Sequence, residues 1–115
     1  MPTMVPLPTA LAHLRADGAG EDALITTYLE AAEEAASDYL NRKLYATQDD
    51  LDAAVLAETA GLDPMVMGPA VRSAVLLILG HLYANREDVV AGVTVAELPQ
   101  GSKALLRPHR RIAGL

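Results

Sequence analysis

The sequence predicts an all-α protein: a small helical bundle with two long helices, one or two short ones, an extended N-terminal arm and a basic C-terminal tail. Three observations carry this. From Glu21 to Leu44 apolar residues recur at steps of three and four, the spacing of one helix face. A second run, Ala70 to Tyr83, is apolar nearly all round, as in a helix buried on most of its circumference. With 115 residues, 51% of them hydrophobic and 21% charged, the chain folds around one core and has no room for a second.

The elements follow in order. Pro2, Pro6 and Pro8 make residues 1–8 an extended arm, and Thr9 caps one short helical turn carrying Leu11 and Leu14. Asp17-Gly18-Ala19-Gly20 is a loop. The long helix over 21–44 has Ile25, Tyr28, Leu29, Ala32, Ala35, Ala36, Tyr39, Leu40 and Leu44 on its stripe, with Glu30, Glu33, Glu34, Asp38, Arg42 and Lys43 on its other faces. Its acids come early and its bases late, which suits the helix dipole, and its alanines permit close approach by a neighbouring helix. Thr47 followed by Asp50 reads as an N-cap, opening a shorter helix with Leu51, Ala54, Val55 and Ala60 before Gly61. Pro64 and Gly68 break the chain, and Pro69 sits in the first turn of the apolar helix. Val89, Val90, Val93 and Val95 around Gly92 suit an irregular or short extended piece. Pro99-Gln100-Gly101-Ser102 turns the chain into a last short helix, Lys103 to Leu106, which Pro108 stops. The whole is one domain over 1–115, with 107–115 as the tail.

Composition excludes several functions. The chain has no Cys, hence no disulfide framework, thiolate metal site or cysteine nucleophile. It lacks Phe and Trp and has four Tyr, too few rings for a stacking reader of single strands. A net charge of −6 argues against gripping DNA by bulk charge. That average hides a split: residues 1–97 carry five basic and fifteen acidic residues, a balance of −10, whereas 98–115 carry Lys103, Arg107, Arg110 and Arg111 and no acid. The longest apolar stretch, Ala74 to Gly80, is far short of the ~18 residues a membrane helix needs, so no membrane association is expected. No basic residue precedes Arg15 and no signal-type apolar run opens the chain, which predicts no cleaved leader.

Each residue pattern that could suggest catalysis or a ligand has a plainer role. His13, His81 and His109 lie far apart with no metal-ligand spacing, and His81 within the apolar helix reads as a structural histidine. Asp49-Asp50-Leu51-Asp52 lacks the glycine and the terminal glutamate of a calcium loop and fits a solvated helix start. Gly18-Ala19-Gly20 has no preceding strand and no third glycine, so it is no dinucleotide fingerprint. Ser37, Ser73 and Ser102 have no nucleophile-elbow context, and Glu30, Glu33 and Glu34 read as the wet face of a helix. The residues thus suggest no enzyme, cofactor or metal. The tail's clustered arginines favour phosphate or carboxylate partners.

Three stretches in this order resemble one family. Leu11-Ala12-His13-Leu14-Arg15, then Asp22-Ala23-Leu24-Ile25 and Tyr28-Leu29-Glu30-Ala31-Ala32, form the first. Ala70 to Leu82 running into Tyr83-Ala84-Asn85-Arg86-Glu87 is the second. Leu98-Pro99-Gln100-Gly101, Leu105-Leu106 and Pro108-His109-Arg110 close the chain, with His109 where a tyrosine is usual. Together they resemble the head-tail connector proteins of tailed bacteriophages and prophages, also called head-completion adaptors or DNA-packaging proteins. The segment Tyr45 to Met67 is longer and more helical than that family's usual link.

The resemblance implies a structural virion assembly protein at the head-tail junction, present in the host cytoplasm during assembly. It would form a ring of about twelve copies under the portal protein, extend the DNA channel and offer a surface to the next neck or tail-completion protein. DNA would pass without sequence-specific recognition, because an acidic wall does not trap it as a basic wall would. Leu98, Leu105, Leu106, Arg107, Arg110 and Arg111 are the expected contacts to a neighbouring subunit or the portal. Tyr83, Arg86 and Glu87 are expected to form a structural helix-end motif, with Arg86 capping carbonyls or pairing with Glu87 or Asp88. The alternative is a small helical DNA-binding regulator, which needs a basic recognition helix.

Overall fold

The computed structural model describes residues 3–14, 21–84 and 99–111. The helices are α1 (Leu7–Leu14), α2 (Asp22–Leu40), α3 (Gln48–Leu56), α4 (Pro69–Ala84) and α5 (Gln100–Leu106), the last running into a 3₁₀ turn at Arg107–His109. Two short strands, β1 (Leu44–Tyr45) and β2 (Met65–Val66), pair in parallel with Leu44 opposite Met65 and Tyr45 opposite Val66. The mostly helical bundle agrees with the fold class read from the sequence.

The core forms where α2 packs on α4, with α5 against α4 and α1 against both long helices. Ile25, Leu29, Ala32, Ala36 and Leu40 face it from α2, and Val71, Ala74, Val75, Ile78 and Leu79 from α4. The buried alanines let the two long helices approach closely. Leu106 of α5 and Ala10 of α1 close the ends of this layer, both without exposed surface. Gly101 brings α5 close to α4: a Cβ there would stand 3.3 Å from Leu77 Cδ1.

Several boundaries differ from the sequence reading. α2 ends at Leu40, four residues before Leu44, because Asn41 adopts φ 56, ψ 38. The Asn41 N–H donates to the Asp38 carbonyl at 3.2 Å and the Arg42 N–H to that of Ser37 at 3.3 Å, a Schellman termination. Leu44 is therefore buried from a strand rather than from the helix. A parallel pair needs a crossover, and α3 supplies it. Thr47 caps α3 as expected, its Oγ1 accepting from the Asp50 N–H at 3.1 Å. That helix stops at Leu56, before Ala60, through a second Schellman arrangement in which Glu58 has φ 59. α1 begins at Leu7 and runs two turns, not one, and Pro108 lies inside the 3₁₀ turn that continues α5. The arm also does more than lead in: Val5 is fully buried in the core. The loop expected at 17–20 and the extended piece expected at 89–97 lie outside the described residues.

Candidate functional site

The basic C-terminal segment is built onto the end of α2. A helix leaves its last carbonyls without intrahelical partners, and they attract donors and positive charge. Here the Arg110 Nε donates to the Tyr39 carbonyl at 2.8 Å and the Arg111 backbone N–H to that of Leu40 at 2.8 Å. The Arg110 guanidinium also lies 4.8 Å from the centre of the Tyr39 ring, a cation–π contact. Arg42, just past the helix, ties three segments together. Its Nε donates to the Asp63 carbonyl at 2.8 Å, its Nη1 to the His109 carbonyl at 3.3 Å, and its Nη2 to Asp63 Oδ1 and the Pro64 carbonyl, each at 3.4 Å. Arg42 thus links the α2 terminus, the segment before β2 and the C-terminal turn.

Beside this clasp an open cleft of about 370 Å³ is lined by Ser37, Asp38, Asn41, Arg42, Lys43, Leu62 and Arg111. A larger cleft of about 700 Å³ lies between the N-terminal segment, α2, β1 and α3, and is lined by Glu30, Glu33, Lys43, Tyr45 and Asp50 among others. Lys43 Nζ donates to the Thr59 carbonyl at 3.1 Å, and Tyr45 Oη to that of Ala60 at 3.2 Å.

Of the residues expected at an interface, Arg107 and Arg110 are exposed, Arg111 and Leu105 half-buried, and Leu106 wholly buried in the chain's own core. What Leu106 anchors is α5. Leu98, Arg86 and Glu87 lie outside the described residues, and so does the cap or ion pair expected of Arg86. Tyr83 is described: its Oη donates to Glu21 Oε1 at 2.8 Å, joining the end of α4 to the start of α2. Among the described residues no three His, Asp or Glu side chains converge as a metal site requires, and no helix is long and apolar enough to cross a membrane.

The sequence reading missed Glu33. It is 6% exposed, not part of a wet face, and its Oε2 accepts the Val5 N–H at 2.8 Å. Burial raises its carboxyl above the ordinary value of 4.5; backbone N–H groups of Val5 and Met4 oppose the rise, and Glu30 adds to it. A signal existed in the spacing. Glu33 stands four residues after Leu29 and three before Ala36, so it belongs to the buried stripe.

These features define a class first: a small, mostly helical domain whose arginines fasten a helix end and two crossing segments. The chain belongs to the phage gp6-like head-tail connector protein family, whose model matches residues 4–110. Comparison with curated proteins and with solved structures gave no match. Family membership makes the chain a structural component of the virion and agrees with the resemblance read from the sequence.

Proposed function

We propose that the chain forms a ring beneath the portal protein, extends the DNA channel and presents its far side to the next neck or tail-completion protein. The observation that carries this reading is the family match over 4–110, which takes in the N-terminal segment, both long helices and the basic C-terminal turn. The acidic balance of residues 1–97 suits a conduit, since passing DNA makes few lasting phosphate contacts with a like-charged wall. Arg107 is exposed, which suits it to an acidic surface on a neighbour or on the portal. Leu98 and Leu105 would add apolar contact there. Assembly would take place in the host cytoplasm, with no catalytic step.

The rival reading, a DNA-binding regulator, needs a basic recognition helix. Arg107 to Arg111 instead occupy a 3₁₀ turn and the backbone after it, tied to α2. Heads assembled with and without the chain test the proposal. Ring density beneath the portal and tail attachment only when the chain is supplied are the expected results; tails joining equally well without it would overturn it. Arg107→Glu should reduce attachment while leaving the helical signal intact. Deleting 107–115 is a blunter probe, because it also removes the donors that cap α2.

A further inference from the structure

α3 is a helix with none of its nine residues buried. Its inner side, Leu51 and Ala54, is only half-covered, while Asp49, Asp52, Ala53 and Leu56 are exposed. At 100° per residue those four share one outward face. Leu56 is 88% exposed and Val55 beside it 56%, so the end of α3 presents apolar side chains to solvent. The smaller cleft has the opposite character. Leu62 in it is 73% exposed, and Arg42 is already paired with Asp63, so that Lys43 and Arg111 outnumber Asp38. No residue of α3 lines this cleft, although Lys43 also lines the larger cleft beside Asp50 and Ala54, so the acidic face of α3 and the basic, leucine-bearing cleft are two distinct patches that adjoin at Lys43.

We propose that the outward face of α3 docks into the Leu62 cleft of a second copy, with Leu56 against Leu62 and Asp49 and Asp52 against Lys43 and Arg111. The two surfaces match: apolar area meets apolar area, and carboxylates meet cations. Two unlike patches on one chain make a heterologous contact, which closes into a ring when the rotation allows. The inference rests on the connector reading and deepens it by naming the two faces that join neighbours.

The test uses full-length chain supplied to heads that lack it. Asp49→Lys with Asp52→Lys should lower incorporation by about tenfold or more, and Lys43→Glu with Arg111→Glu should do the same. All four changes in one chain should restore it. The α3 substitutions are at exposed positions, and an unchanged helical signal verifies folding. Because the chain has no cysteine, Asp52→Cys and Asp38→Cys chains can be mixed and cross-linked in assembled particles, Asp38 being an exposed helical residue that lines the cleft. A dimer of one of each, absent with either chain alone, is the expected product. An α3 reversal that incorporates like wild type, a quadruple variant that is not restored, or cross-links from α3 to a different protein would overturn the inference while leaving the connector reading intact. Absence of the wild-type chain from particles would instead overturn that reading, and this inference with it.

Discussion

Glu33 shows how one side chain can fix a chain terminus. The arm has few ways to satisfy a backbone N–H once Val5 is buried, and the carboxylate provides one at 2.8 Å. Because burial raises the Glu33 carboxyl above 4.5, the folded protein holds that proton to higher pH than the unfolded chain does. Between the two values the native state binds more protons, so this group's contribution is full below the ordinary value and is lost as pH rises through the raised one. Glu33→Gln keeps an acceptor without the charge. Denaturant melts across pH should find wild type and variant closest in acid, with the variant gaining as pH rises; a gap that widens toward acid would contradict the assignment. Glu33→Ala leaves the Val5 N–H buried without its acceptor and should cost about 1–3 kcal/mol in acid, and less as pH rises through the raised value and the carboxyl it removes becomes charged. Arg110 is the counterpart at the other end of the chain. Lysine has neither the planar face for Tyr39 nor the Nε donor for its carbonyl, so Arg110→Lys should cost about 0.5–1 kcal/mol.

At the level of elements, the starts of α3 and α4 were legible and the ends of α2 and α3 were not, while the last helix was read to its correct end at Leu106 but starts at Gln100 rather than Lys103. Thr47 and Pro69 announce their helices chemically, by a side-chain oxygen for orphan N–H groups and by a ring already fixed at a helical φ. The stops at Asn41 and Glu58 depend on left-handed backbone at residues other than glycine, and the apolar pattern ran on past the first of them to Leu44. Strands of two residues are shorter than any period that could reveal them, so β1 and β2 had no signal. The C-terminal site was half legible. Its cations were plain in the sequence, but the intramolecular surface they meet, the α2 terminus, exists only once α2 stops at Leu40. Glu58 also yields a prediction. An exposed glutamate at φ 59 pays a steric penalty that glycine avoids, so Glu58→Gly should stabilise the protein by about 0.5–1 kcal/mol. A loss of stability on chemical denaturation would mean that the Glu58 side chain makes a compensating contact.

For the whole molecule, the charge split and the clasp make separable contributions to stability. Fifteen acids against nine basic residues repel one another in the compact state, and the +4 C-terminal segment lies against the body that carries the −10. Salt weakens long-range repulsion between exposed charges, since the screening length falls from about 30 Å at 0.01 M to about 8 Å at 0.15 M. The short donors to the Tyr39 and Leu40 carbonyls are far less sensitive to it. Removing residues 110–115 takes away Arg110 and Arg111, deepening the repulsion, and also uncaps α2. The truncated chain should therefore melt at lower temperature than the full one. Added salt should raise both melting temperatures, the truncated chain's more steeply, yet leave a residual gap. That gap measures the lost cap and ring contact, while the part closed by salt measures the lost cations. Complete closure would mean that the segment acts through charge alone and that its hydrogen bonds to α2 contribute nothing; a salt-independent gap would mean that its charge contributes nothing to the fold and is left wholly for partners.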